Sequence, residues 1–143
     1  ITREWLLDMT ATTYSYATVT EMTGETIKTV LEDVADNLFN PDPYYQQGGD
    51  MVRVGGLSYS CNPVESAGKR IGDLRLKGQL IEAGKKYKVA GWAPVAEEAR
   101  NQGNKQVWEV VETWLKAQGG RIKPRQLNTP KIMGALPNKG YAV

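Results

Sequence analysis

Arg53 is the basic side chain in this sequence whose neighbours most suggest chemistry, because it lies between two glycine pairs, Gly48-Gly49 and Gly55-Gly56. A guanidinium group is planar and permanently charged, and its fork of N–H donors suits a tetrahedral oxyanion. Paired glycines in an otherwise strand-like stretch indicate a bulge or a close approach of the backbone to another group. The alternatives are a surface ion pair for Arg53 and a bulge without a ligand for the glycines.

Four large side chains with polar tips, Tyr44-Tyr45-Gln46-Gln47, come shortly before Arg53 in the chain. A loop rarely needs so much polar-tipped bulk for its own structure, so the run favours ligand binding over loop packing and internal hydrogen bonding. Asp50 either orients Arg53 or caps a turn, and we expect the structural role.

Two absences limit the chemistry of the chain, which contains no histidine and one cysteine, Cys61. Without histidine the commonest general base and metal ligand are missing. One cysteine excludes an internal disulfide and a thiolate zinc cluster, and we expect Cys61 to be a small buried apolar residue. No acidic spacing indicates a carboxylate metal site. Alone, the chain is a poor candidate for an enzyme.

The composition is that of one ordinary globular domain of 143 residues, with 41% hydrophobic and 24% charged residues. A net charge of +2 gives no electrostatic footprint for nucleic acid. No run approaches the ~18 apolar residues expected of a membrane span. A chain that starts at Ile1 without an initiator methionine is expected to be a mature product or an excised fragment.

Hydrophobic periodicity predicts a mixture of helices and strands. Helices are expected over residues 1–11 with Thr2 as N-cap, over 23–38 with Thr23 as N-cap, and after Pro94 in two pieces interrupted by Gly103. Strands are expected over 51–60 with an interruption at the glycine pair, over 70–76, and over 86–92. Lys77-Gly78 is expected to form a hairpin turn.

This order predicts an α/β (α+β) fold, a mixed and partly antiparallel sheet packed with helices. Trp108 and Trp114 have helical spacing and are expected in the core. The predicted division is a domain over residues 1–120 and an extended, loosely attached tail over 121–143.

Two long and unusual runs carry a family resemblance: residues 24–63, which include PDPYYQQGGDMVR, and residues 86–99, which read KYKVAGWAPVAEEA. Shorter matches are Thr23-Gly24, Leu31-Glu32, Val54-Gly55-Gly56-Leu57 and Gly68-Lys69-Arg70-Ile71. On these motifs, roughly residues 1–100 resemble the C-terminal 5′-nucleotidase-type domain of the SoxB thiosulfohydrolases.

The resemblance implies a substrate- and carrier-recognition domain of a periplasmic two-domain hydrolase. In that family an N-terminal metallophosphoesterase-type domain carries two manganese ions, and the enzyme hydrolyses the sulfone group from a cysteine of the SoxYZ carrier and releases sulfate. We therefore expect no cofactor in this chain, two Mn ions in another domain, and SoxYZ, a sulfur oxyanion and the N-terminal domain as partners. Nucleic acid and membrane partners are not expected, and the chain alone is expected to be inactive.

The resemblance also implies three cleft loops, Thr13–Ala17, Val54–Leu57 and Gly91–Val95. The first and third lack the two phenylalanines with which nucleotidases hold a base, so a small oxyanion is the expected ligand. Trp92 is either presented to the cleft or a core residue at a strand end. The predicted substrate-binding residues are Arg53, Gly55, Gly56, Tyr44, Tyr45, Gln46, Gln47, Trp92, Tyr14 and Tyr16.

Two alternatives stay open at this point. One is the C-terminal domain of a 5′-nucleotidase or UDP-sugar hydrolase, which binding of AMP or a UDP-sugar would favour. The other is a non-catalytic module that docks SoxYZ, which carrier binding without a response to free thiosulfate would favour.

Overall fold

The computed structural model describes residues 1–10, 15–91, 103–119, 122–123 and 128–134. Contacts within the chain group it into two compact units. The first unit holds Ile1–Met22 and Tyr87–Arg125, and the second holds Thr23–Lys86 and Gln126–Val143. The helices are α1 (Arg3–Thr10), α2 (Gly24–Phe39) and α3 (Val107–Ala117), and Pro43–Tyr45 form a 3₁₀ turn. The strands are β1 (Thr18–Thr23), β2 (Leu57–Cys61), β3 (Ile71–Leu76), β4 (Gln79–Leu80), β5 (Lys86–Gly91) and β6 (Lys131–Ile132).

Helix α2 of the second unit begins and ends where the sequence predicts. The Thr23 hydroxyl accepts a hydrogen bond from the backbone N–H of Thr26 at 3.1 Å, as an N-cap does. Gly24 follows because a Cβ there would meet the Glu82 carbonyl oxygen and the Ile81 side chain. The helix ends at Phe39, with Asn40 as its C-cap, before Pro41 and Pro43.

A four-stranded sheet with the order β4-β3-β2-β6 packs against α2. Strands β2 and β3 are antiparallel, from Leu57 opposite Leu76 to Cys61 opposite Ile71. Lys77 and Gly78 connect β3 to β4 with φ values of 51° and 84°, the positive angles of a tight hairpin turn. The core consists of buried side chains from α2, β2 and β3, namely Leu31, Ala35, Tyr59, Cys61 and Ile71. The predicted mixed, partly antiparallel fold with packed helices is confirmed.

The predicted strand over residues 51–60 is wrong in its first half. Strand β2 starts only at Leu57, and its irregularity lies between Ser58 and Ser60 rather than at the glycine pair. Before β2 the chain makes one isolated bridge, from Val54 to Asn128. Gly56 has a φ of 78°, which turns the backbone and prevents a continuous strand.

The first unit contains α1, α3 and the two-stranded pairing of β1 with β5. Thr2 caps α1 as predicted, since its hydroxyl accepts from the Trp5 backbone N–H at 3.2 Å. Leu6 is the buried residue of α1. The guanidinium of Arg3 lies 4.4 Å from the centroid of the Trp108 ring. Trp108 and Trp114 are partly buried rather than fully enclosed.

The first piece of the helix predicted after Pro94 lies outside the described residues, and the division at residue 120 stays a prediction. None of the described helices is long and apolar enough to cross a membrane.

Candidate functional site

Arg53 lies in the second unit with its side chain exposed to solvent. Its guanidinium makes no hydrogen bond or ion pair with any residue that the structure describes, so the surface ion pair considered above has no support. Met51 and Val54, on either side of it, pack against the core. The backbone that carries Arg53 is therefore anchored while its charged group stays available.

Gly55 and Gly56 continue this surface segment and are both exposed. A Cβ built on Gly55 meets no atom within 4 Å, so the backbone here is open to an approaching group. The carbonyl oxygen of Gly56 accepts from the Lys77 backbone N–H at 3.2 Å, which ties the segment to the β3–β4 turn. We call residues 53–56 the arginine segment.

The tyrosine pair lies on the 3₁₀ turn and is strongly exposed, with Tyr44 at 95% and Tyr45 at 66%. An Asp42 carboxylate oxygen accepts from the Tyr44 backbone N–H at 3.0 Å and holds this turn. Gln46 donates from its side-chain amide to the Asn40 carbonyl at 2.7 Å, so it serves loop packing. Gln47 is exposed.

The predicted site residues that the structure describes lie on different parts of the chain, namely the 3₁₀ turn and the residues after it, the arginine segment, and the stretch before β1. No hydrogen bond or ion pair within the described ranges joins the arginine segment to the side chains of Tyr44–Gln47. Asp50 is exposed and does not pair with Arg53. Tyr16 belongs to the first unit, where it is 49% exposed and forms an isolated bridge with Gln106. Tyr14 and Trp92 lie outside the described residues.

Sequence reasoning missed a buried network around Arg70, which is 2% exposed. One guanidinium nitrogen donates to an Asp36 carboxylate oxygen at 2.6 Å, and others donate to the carbonyl oxygens of Phe39 at 3.3 Å and Pro63 at 3.4 Å. The Arg70 hydrogen bond, with a second one from Asn40, holds the pKa of Asp36 below its ordinary value.

Glu32 connects two motifs that are far apart in the sequence, Leu31-Glu32 and Gly68-Lys69-Arg70-Ile71. It is 7% exposed, and its carboxylate accepts from the backbone N–H groups of Gly68 at 3.0 Å, Arg70 at 3.2 Å and Ile71 at 2.8 Å. A buried charge must be satisfied in this way or it destabilises the fold. The signal in the sequence was a charged residue, Glu32, among the apolar positions of a predicted helix. The role of this network is structural.

Cys61 is fully buried, as predicted, and lies in the core beside α2. Burial raises the pKa of its thiol, and the charge of Glu32 raises it further. A thiol that stays protonated in an apolar core is a weak nucleophile, so Cys61 does not extend the candidate site.

The described residues do not fit a metal centre. Within those ranges no group of three or more histidine, cysteine, aspartate or glutamate side chains is placed to hold an ion. A shallow depression beside α2 is lined by carboxylates, but Glu32 and Asp36 are already bonded within the fold.

The sequence profile of the 5′-nucleotidase C-terminal domain matches residues 1–103, and the chain belongs to that family. A solved structure of the Thermus thermophilus sulfate thiohydrolase SoxB, in complex with glycerol, is similar at 31% sequence identity with a TM-score of 0.69. That similarity covers 87% of this chain and 23% of the SoxB chain. The SoxB-like C-terminal domain predicted from the motifs is thereby confirmed.

A second structure shares the fold alone. It is a Staphylococcus aureus protein assigned as a 5′-nucleotidase, in complex with α-ketoglutarate, at 14% identity with a TM-score of 0.53. The match covers 83% of this chain and 27% of that one, so the present chain spans about a quarter of each solved relative. No curated protein sequence matches this chain.

Proposed function

We propose that this chain is the substrate-recognition domain of a SoxB-type hydrolase and that the arginine segment binds a sulfur oxyanion. The observation that carries the proposal is the exposed guanidinium of Arg53, which has no partner among the described residues and is held on backbone that Met51 and Val54 anchor to the core. A charge without an internal partner, on a fixed segment, is suited to an external anion.

The chemistry of the segment fits a small tetrahedral anion better than a nucleotide. Arg53 supplies a fork of donors for two oxygens, and the exposed backbone at Gly55 and Gly56 allows close approach. The sequence lacks the phenylalanine motifs with which nucleotidases hold a base. The exposed Tyr44 and Tyr45 offer hydroxyl donors and ring faces to a carrier peptide that brings the anion.

The similarity to SoxB supports the finer parts of the proposal. The whole protein would hydrolyse the sulfone group from the cysteine of a SoxYZ carrier in the periplasm and release sulfate. Since the described residues do not fit a metal centre, we propose that two manganese ions bind in another domain and that this chain alone has no turnover.

A titration of the ¹⁵N-labelled 143-residue chain with thiosulfate tests the proposal, with sulfate and AMP as comparators. We expect amide shift changes concentrated at Arg53–Leu57 with thiosulfate and absent with AMP. Saturable changes spread evenly over basic surface residues such as Lys28 and Lys69 would instead show nonspecific ion binding and overturn the proposal.

The titration with AMP also tests the nucleotidase alternative, which the match to the 5′-nucleotidase C-terminal domain supports. AMP-specific shifts at Arg53–Leu57 would assign the segment to nucleotide binding. A chain that binds a SoxYZ carrier but shows no response to thiosulfate would be a docking module instead.

A further inference from the structure

Residues 128–134 lie beyond the part of the chain that matches the family profile, which ends at residue 103. They nevertheless join the second unit's sheet. Strand β6 runs parallel to β2, with Lys131 opposite Ser60 and Ile132 opposite Cys61. The Met133 backbone N–H donates to the Cys61 carbonyl oxygen at 2.8 Å. This part of the tail therefore supplies one of the two edge strands of the sheet, and β4 is the other.

The same segment reaches the arginine segment. Asn128 forms the antiparallel bridge with Val54, the residue next to Arg53. The arginine segment is thus tied at Val54 to Asn128 and at Gly56 to Lys77. Besides these two ties, Val54 packs against the core, whereas Arg53, Gly55 and Gly56 are exposed.

We propose that residues 128–134, which we call the strap, are positioning residues that hold Arg53 and the glycine pair ready for the oxyanion. The proposal rests on the function proposed above. A ligand that must first order its binding segment loses affinity by the entropic cost of that ordering. A strap that fixes the segment beforehand removes that cost, so undocking it weakens binding even while the core stays folded.

Gly134 offers a way to disturb the docked strap with one substitution. Its φ is 65°, and an added Cβ would meet the Asn62 side-chain oxygen and lie 3.1 Å from a Val64 methyl group. Gly119 is a matched control, because its φ is 67° and an added Cβ there meets no atom within 4 Å. The two Gly→Ala variants share the backbone strain and differ in the strap contact.

The test is the thiosulfate titration of Gly134→Ala, Gly119→Ala and the unaltered chain, followed at the amides of Arg53–Leu57. We expect Gly134→Ala to raise the Kd by about 2- to 10-fold, because the ligand must then order one or two residues of the arginine segment that the strap no longer holds. Gly119→Ala should leave the Kd unchanged. Ile71→Val, a core change on β3, which β2 separates from the strap, provides a variant of reduced stability that should bind normally. An unchanged Kd in Gly134→Ala, with its strap amides shifted, overturns the inference and leaves the proposed function intact.

Hydrogen exchange on the unaltered chain covers the case in which Gly134→Ala does not fold. The Met133 amide should exchange as slowly as the amides of β2, because the strap is docked in the native state. Fast exchange at Met133 beside slow exchange in β2 would show an undocked strap and overturn the inference. If the unaltered chain shows no thiosulfate shifts at Arg53–Leu57, the proposed function fails and the positioning role fails with it.

Discussion

Arg53 and Arg70 lie in the same compact unit and have opposite environments. Arg70 is 2% exposed and donates to one carboxylate and two carbonyl oxygens. Arg53 is exposed and donates to no described residue from its side chain. Each guanidinium nitrogen of Arg70 already donates within the buried network, whereas the Arg53 guanidinium is exposed and bonds to none of the residues that the structure describes. The comparison separates a residue that holds the domain together from one that is available to an anion.

Replacing Arg70 should cause the largest loss of stability. Arg70→Met removes the donor to one Asp36 carboxylate oxygen and to two carbonyl groups, while Asn40 still donates to the other Asp36 oxygen. We expect a loss of about 3 kcal/mol, the low end for a broken buried pair, because Asp36 is partly exposed and keeps this second donor. Urea unfolding followed by circular dichroism measures the loss. Arg75→Met is the control, because Arg75 is 39% exposed and its Asp73 partner 60%, so a change within about 0.5 kcal/mol is expected. Equal losses in the two variants would contradict the assignment of Arg70 to the fold.

Replacing Glu32 should cause the next largest loss. Glu32→Gln keeps one acceptor oxygen but removes the charge and the second oxygen that bind the N–H groups of Gly68, Arg70 and Ile71. Hydrogen bonds to a buried charge are worth ~1.5–3 kcal/mol, and we expect a loss of about 2 kcal/mol. The same unfolding experiment on Glu25→Gln, an exposed change in the first turn of α2, should show a much smaller effect. A Glu32 variant as stable as the unaltered chain would show that the network is dispensable.

Acid should weaken the Arg70 network through Asp36. The pKa of Asp36 is lower in the folded chain than its ordinary value of 3.8, so folding favours the ionised form. This contribution is present above pH 3.8 and is lost as the pH falls through the lower folded value. The stability difference between the unaltered chain and Asp36→Asn should therefore shrink as the pH is lowered below about 4. Thermal unfolding at pH 7 and pH 3 measures this, and a difference that stays constant would contradict the pairing.

Replacing Arg53 should change stability least. Arg53→Gln removes no described side-chain hydrogen bond or ion pair, so a change within about 0.5 kcal/mol is expected. Urea unfolding of Arg53→Gln and Arg70→Met under the same conditions compares the stability losses of the two variants. A loss above about 1 kcal/mol would mean that Arg53 supports the fold.

The same contrast shows what could be predicted from the sequence. Caps, periodicity and the Lys77-Gly78 turn are local signals, and they placed α1, α2, α3 and the hairpin correctly. The Glu32–Arg70 network joins residues far apart in the chain, and a charged side chain in a helix gives no sign of its distant partner. Strand β2 begins only at Leu57 because Gly56 has a positive φ. The residues before it instead make a long-range bridge, from Val54 to Asn128. The glycine neighbours of Arg53 are a local signal that makes it a candidate, and its role stays a prediction. That it has no partner among the described residues is visible only in the structure.

The most direct test of the account is a thiosulfate titration of Arg53→Gln beside Arg75→Gln, a change of equal charge in the same unit. The account predicts that Arg53→Gln weakens binding by about tenfold or more, since a hydrogen bond to a charged group is worth ~1.5–3 kcal/mol. Amide shifts at Gly55–Leu57 should fade accordingly, while Arg75→Gln binds as the unaltered chain does. Equal affinity in both variants would contradict the claim that the arginine segment recognises the oxyanion.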